Sequence, residues 1–223
     1  MKILAFDTST THCSTALLID GITHTKEIDA GRNHSELLLP MVNDILAETE
    51  LTLTQLDCIA FGAGPGSFTG LRIACGVAQG LAFAADLPVI GISTLETVAK
   101  KVNEQKMIIA LDARMGEIYH AAYTKLDDGF KTVSPPTLCK PQHAPQLEGN
   151  QWFGSGSGFD VFHEELSSQY HHKILDIKSD IQPHAVEITQ LAASQLAKGT
   201  CTDPAKASPI YIRNKVALKE NER

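Results

Sequence analysis

The chain has few of the residues that build covalent or redox scaffolds. Five cysteines (Cys13, Cys58, Cys75, Cys139, Cys201) are dispersed through 223 residues with no C-x-x-C pair. An odd, scattered set reads as reduced thiols and excludes a disulfide framework. Aromatic residues make up only 6% and tryptophan occurs once. A surplus of positive charge is also missing: 19 Lys and Arg against 26 Asp and Glu leave a net charge of −7. Affinity for nucleic acid comes mostly from cations on phosphates, so this chain is not expected to grip nucleic acid by itself. Long hydrophobic runs are absent too. The longest, Ile73 to Ala85, is short of the roughly 20 residues of a bilayer crossing, and no membrane span is expected. A carboxylate at Asp7 comes before any apolar stretch that would serve as a secretory signal, which places the protein in the cytoplasm by expectation.

With 43% apolar residues the chain can bury a core as one large domain or two small ones of about 100 residues each. Lys2 to Phe6 and Cys13 to Asp20 read as strands. The dipeptide Asp20-Gly21 favours the positive φ angles of a two-residue hairpin, so Ile22 to Ile28 returns as a third strand. From His34 to Glu48 the pattern becomes helical, with Leu37, Leu38, Met41, Val42, Ile45 and Leu46 in adjacent pairs every four residues. Cys58 to Phe61 reads as a buried strand running through GAGPGS into a helix over Phe68 to Ala85. Pro88 to Ile92 (strand) and Thr94 to Lys101 (helix, capped by Ser93 or Thr94) continue the alternation. Met107 to Leu111, Asp112 and Ile118 to Tyr123 then repeat the opening theme of strand, acidic turn, strand, as a second, abbreviated copy. The division expected is 1–103 and 104–223. Prolines 135, 136, 141 and 145 predict a loop over 134–150, followed by a strand entering a flexible turn in QWFGSGSG. Pro183 opens and Gly199 closes a last helix, and Pro209 to Ile212 is expected as a final strand.

Three places carry candidate chemistry. The turn Asp7-Thr8-Ser9-Thr10 could donate hydroxyls and amides to a phosphate while the carboxylate orients a metal-bound water; a tight inter-strand turn, which these residues favour, is the simpler reading. GAGPGSFTG precedes a helix, but it matches neither G-x-x-x-x-G-K-[ST] nor G-x-G-x-x-G, so it supports a nucleotide cradle only weakly. His34 stands two residues before Glu36 at a helix entrance. A second histidine one turn on would complete a ligand pair, yet Leu38 occupies that place and Glu36 points about 200° away. No zinc set or nucleophile elbow is visible.

Two features suggest contact with another polypeptide. The apolar stripe of the His34–Glu48 helix, widened by Leu39, exceeds the roughly 100° that a core-facing helix needs. Either a partner or dimer mate covers the excess, or the chain buries the helix on two sides. Gly76 and Gly80, with Ala84, line one side of the next helix with small residues, for close approach of another helix or for core packing.

Four stretches in order, MKILAFDTS from Met1, RNHSE from Arg32, GPGSFTGLR from Gly64 and PIYIR from Pro209, resemble the bacterial TsaB (YeaZ) family from the first residue to the tail. The resemblance implies two tandem α/β domains of the actin, sugar-kinase and heat-shock ATPase type (ribonuclease H-like), the second abbreviated. It implies a non-catalytic subunit that pairs with the larger paralogue TsaD and works with the ATPase TsaE to place threonylcarbamoyl on the adenosine beside the tRNA anticodon. ATP and metal would then sit on the partner subunits, with no cofactor on this chain and tRNA met only through the complex. TsaD carries H-x-E-x-H on the corresponding helix; here His34 and Glu36 persist and Leu38 replaces the second histidine. The same resemblance places a partner surface on the two helices, at His34, Leu37, Leu38, Met41, Val42, Ile45, Arg72, Gly76 and Gly80. That surface serves TsaD or a second copy in a homodimer, and Leu38→Asp or Met41→Asp is expected to weaken association while sparing the fold. Arg213, Lys215 and Lys219 are candidates to approach tRNA. The rival readings are an ATP-dependent small-molecule kinase resting on Asp7 to Thr10, and a metalloprotease-like protein resting on His34 and Glu36.

Overall fold

The structure is a computed structural model that describes residues 1–127 and 129–213. Two five-stranded sheets carry the chain. The first contains β1 (Lys2–Asp7), β2 (His12–Ile19), β3 (Ile22–Asp29), β4 (Cys58–Gly64) and β5 (Val89–Ser93), with α1 (His34–Glu48), α2 (Phe68–Ala85) and α3 (Thr94–Val102) between and after them. The second contains β6 (Lys106–Asp112), β7 (Ile118–Leu126), β8 (Gly129–Cys139), β9 (Trp152–Ser155) and β10 (Ile174–Lys178), with the short α4 (Ser157–Val161) and α5 (His163–Gln169), and α6 (Ala185–Ala197) after β10.

The internal repeat is visible in the pairing. The first sheet runs β3-β2-β1-β4-β5 and the second, from its other edge, β8-β7-β6-β9-β10. In both, the first three strands form an antiparallel meander and the last two join in parallel. Even the acidic turns correspond: Asp7 Oδ1 accepts from Ser9 N at 2.9 Å, and Asp112 Oδ1 from Arg114 N at 2.8 Å. The second copy is abbreviated where α1 would stand, with only a 3-10 turn over Pro141–His143. This is the doubled α/β arrangement that the resemblance implied.

Alternation along the central strands sorts the cores. Leu4 and Phe6 join α1 and α2 in one cluster, while Ile3 and Ala5 face Ala185, Ile188, Leu191 and Ala192 of α6. Leu95, Val98 and Val102 of α3 pack on Met107, Ile109 and Tyr119 of the second sheet, whose other face meets Phe159 of α4 and Leu166 of α5. α3 and α6 also pack on each other. The layers therefore run α1/α2, first sheet, α3/α6, second sheet, α4/α5. The helix that follows each sheet's last strand crosses to the other sheet. The expected division at 103/104 falls between the two sheets, in the Asn103–Gln105 link, but α6 and the segment after it return to the first half.

Three expectations are corrected. β8 extends through Pro135 and Pro136 to Cys139, where a loop was expected. It is an edge strand, and its pairing with β7 shifts register around Ala122, which is where a sheet tolerates prolines. Pro209 to Ile212 is no strand; its one backbone bond to the sheet is Ile210 N to Ala63 O, 2.7 Å. The turn expected after β9 winds directly into α4, and the polar stretch beyond it holds α5 and β10. α2 has the bounds expected, and at 18 residues it is long and apolar enough, by length and composition, to cross a membrane. Core helices of soluble proteins pass the same test, and here the row Leu71, Ala74, Ala78, Ala82 is buried against the first sheet.

Candidate functional site

The Asp7 turn is closed by its own chain. Asp7 is buried, and its Oδ1 accepts from both the amide and the hydroxyl of Ser9, at 2.9 and 2.8 Å. Thr8 Oγ1 donates to the Gly70 carbonyl at 2.8 Å, and Ser67 N donates to the Ser9 carbonyl at 2.8 Å. Ser67 caps α2 by accepting from Gly70 N at 3.3 Å. A Cβ on Gly70 would overlap the Thr8 carbonyl, so the first turn of α2 lies against β1 only because position 70 is glycine. The Ser9 amide and the Thr8 and Ser9 hydroxyls are thus committed inside the protein. Asp7 Oδ2 is buried with no hydrogen-bond partner. Burial pushes the Asp7 carboxyl above its ordinary value, against the Ser9 hydrogen bonds and the charges of His184 and His34. Of the four candidates, Thr10 is half-buried, its hydroxyl accepting from His12 N at 3.2 Å.

His34, the first residue of α1, is buried, with Nε2 3.4 Å from the His12 carbonyl oxygen. A carbonyl only accepts, so this contact requires a proton on Nε2. Glu36 is exposed, and Leu38 lies in the first core at 0% exposure. Among the described residues no three His, Cys, Asp or Glu side chains are grouped to hold a metal ion.

The expected partner face divides into two kinds of residue. Leu38, Val42 and Ile45 are core residues at 0%, 3% and 0% exposure, and with His34 they are covered by the chain itself. The stripe on α1 was therefore too wide because much of it faces inward on the sheet, and Leu38→Asp strikes the core rather than a docking surface. Leu37 and Met41 are half-buried at the margin of that core, and Leu39 is exposed. On α2, beside α1, Arg72, Gly76 and Gly80 are exposed, and a Cβ on either glycine would meet nothing within 4 Å. These glycines make no room for the chain's own core. Phe83 is 82% exposed. At 100° per residue, Thr69, Arg72, Gly76, Gly80 and Phe83 share one face within about 80° of each other.

Phe83 was missed in the sequence because one aromatic near the end of an Ala-rich helix carries no sign of its side; its phase relative to Gly76 and Gly80 was the available signal. Sequence reasoning also missed what holds Arg72. Its guanidinium carbon lies 3.8 Å from the Phe68 ring centroid, and Nε donates to Tyr211 Oη at 3.0 Å. Arg213 is similarly engaged: Nη2 lies 2.8 Å from Glu117 Oε2 and donates to the Ala113 carbonyl at 3.0 Å. Lys215 and Lys219 lie outside the described residues.

Comparison with known proteins agrees with this geometry. The TsaD family model, described as tRNA N6-adenosine threonylcarbamoyltransferase, matches residues 25–219. The tRNA threonylcarbamoyladenosine biosynthesis protein TsaB of Escherichia coli is 38% identical over 99% of this chain and 98% of its own length. Its namesake in Haemophilus influenzae is 38% identical over 99% and 97%. The solved structure of YeaZ from Pseudomonas aeruginosa superposes with a TM-score of 0.86 at 35% identity, over 94% of this chain and 99% of that one. With its doubled sheet, its closed Asp7 turn and relatives matched from end to end, the chain belongs to the TsaB (YeaZ) family, within the broader family whose model carries the TsaD name.

Proposed function

We propose that this chain acts in the biosynthesis of threonylcarbamoyladenosine in tRNA as a non-catalytic subunit that binds a TsaD-type paralogue and activates it. The observation that carries this reading is the open face of α2. An exposed row of Arg72, Gly76, Gly80 and Phe83 gives a partner helix two glycines for close approach and an aromatic and a guanidinium as anchors. A TsaD-type partner is the proposed occupant because this chain matches the TsaD family model over residues 25–219, which makes such a protein a paralogue.

Support for the absence of independent chemistry comes from the two candidate sites. The Ser9 amide and the Thr8 and Ser9 hydroxyls of the Asp7 turn are hydrogen-bonded within the chain, and the position that would complete a histidine pair is a core leucine. ATP and metal belong to the partner subunits in this reading, with a TsaE-type ATPase as third component and tRNA reached only through the assembly. A second copy of the chain is an alternative occupant of the same face.

The test is reconstitution. The purified chain is assayed for ATP turnover and tRNA modification alone and then with a TsaD-type and a TsaE-type protein. Modification only in the mixture, lost with Gly76→Arg while circular dichroism is unchanged, supports the proposal. Turnover by the chain alone, or a Gly76→Arg variant that still enters the complex, rejects it.

A further inference from the structure

The segment that follows α6 crosses the molecule with only a short 3-10 turn, Pro204–Lys206, of its own, and its contacts form a sequence. Thr202 exchanges two backbone bonds with Val89 on the edge of the first sheet, at 2.9 and 2.8 Å. The Ala207 carbonyl accepts from Gln79 of α2 at 3.1 Å. Ile210 N donates to Ala63 O at the end of β4, and Tyr211 Oη accepts from Arg72. Ile212 packs at the margin of the core that α3 shares with the second sheet. Arg213 then reaches the turn joining β6 and β7, pairing with Glu117 and donating to the Ala113 carbonyl; its side chain is 14% exposed. A crevice lined by Pro65, Phe68, Tyr119 and residues 210–213 marks where the segment passes from one half to the other.

We propose that residues 202–213 are a latch: a strap that ties the first turn of α2, in the first half, to the Asp112–Glu117 turn of the second half, so that the two move as one. The physical reason lies in where the anchors fall. Arg72 of α2 and the Ala113–Glu117 turn are joined through Tyr211, Ile212 and Arg213, and among the described residues no hydrogen bond links that turn directly to the start of α2. A segment this short, held at both ends, transmits displacement, because three residues reach at most about 10 Å even fully extended and so leave little slack. A guanidinium whose donors meet a carboxylate and a carbonyl holds both the distance and the angle of its end. The proposal is independent of whether the α2 face binds a partner.

Hydrogen exchange of the full chain, read by mass spectrometry at peptide level, tests it through reciprocity. Arg213→Ala removes the anchor on the second half, and exchange is expected to accelerate about tenfold at the first turn of α2, which Arg213 does not touch. Tyr211→Ala removes the anchor on α2, and the same acceleration is expected at the 112–117 turn, while β1 and β2 keep their protection in both variants. Acceleration confined to each variant's own contacts, or none, overturns the latch. If either alanine variant exchanges globally, Arg213→Gln and Tyr211→Phe, which keep the chain length and the ring, replace it, and the same reciprocal pattern or its absence decides.

Discussion

Asp7 of β1 and Gly62 of β4 face one another across the parallel pair so closely that a Cβ on Gly62 would overlap Asp7 Oδ2. Room for the buried carboxylate exists only because the neighbouring strand has no side chain there. Gly62→Ala must push the carboxylate off the Ser9 donors or bend β4, and overpacking of this kind costs about 1–3 kcal/mol. Chemical denaturation should show that loss with the fold retained.

Asp7 also sets a pH dependence with a definite sign. Its folded value lies above the ordinary 3.8 because burial disfavours the charged form. Whatever the neutral carboxyl contributes is fully present below 3.8 and is lost as pH rises through the raised folded value. Asp7→Asn stays neutral throughout and keeps an oxygen for Ser9. The variant should therefore be more stable than the parent at pH 7, with the gap narrowing toward pH 3.5. Denaturation midpoints at both values check this; an equal or wider gap in acid refutes it.

His120 works in the opposite direction. It is fully buried on β7, its Nε2 is 2.8 Å from Tyr170 Oη, and Nδ1 has no partner among the described residues. Burial pulls its value down from 6.5 to about 4. The contribution of the neutral ring is present above 6.5 and is lost as pH falls toward 4, because the unfolded chain takes the proton first. A shift of this size corresponds to about 3 kcal/mol across that window. Replacing His120 with glutamine should flatten the fall in stability between pH 6.5 and 4, whatever it does to stability at neutral pH.

Much of the first half was legible in the sequence, and the reasons are local. α1 and α2 have the bounds that their periodicity gave, and Asp20 and Gly21 both take the positive φ that their hairpin needs. The misses share a cause: the deciding interaction is distant in sequence. Pro135 and Pro136 sit in a strand because β8 is an edge whose pairing with β7 is already irregular. α4, α5 and β10 are short, so no period has room to show. Pro209 to Ile212 looked like a strand because it is mostly apolar with two β-branched isoleucines, but its side chains are held by α2 and the second half. At the candidate site, periodicity gave the angular width of the α1 stripe and not which side of it the sheet would cover.

The thiols offer a check on which cysteines are accessible. Burial drives Cys13 and Cys58 up to about 12, with the Asp7 and Asp57 charges as lesser causes. Cys201 is exposed. A thiolate is the reactive form. Under native conditions at pH 8, iodoacetamide should label Cys201 first and leave Cys13 and Cys58 unmodified until denaturant is added, as peptide mass spectrometry would show. Early labelling of Cys58 would contradict the packing of β4 beneath α6.

Leu38 and Leu39 are neighbours that answer to different forces. Leu38 is at 0% exposure under the first sheet, Leu39 at 49% on the outside of the same helix. A buried leucine cut to alanine costs about 2–5 kcal/mol, and an aspartate there adds an unpaired buried charge, so Leu38→Asp should fail to fold. Leu39→Asp should change stability by less than about 1 kcal/mol, as surface changes do, and Met41→Asp, half-buried at the core margin, by somewhat more while still folding. Met41 and Leu39 lie about 160° apart around α1, so if the α1/α2 face is the docking surface, the variant on the flank beside α2 should nonetheless weaken association with a TsaD-type partner by about tenfold or more, as should Phe83→Asp. Light scattering of the mixed complex and thermal melts of each free variant separate these effects. A folded Leu38→Asp would overturn the core assignment, and unimpaired binding by Leu39→Asp, Met41→Asp and Phe83→Asp together would move the partner elsewhere on the molecule.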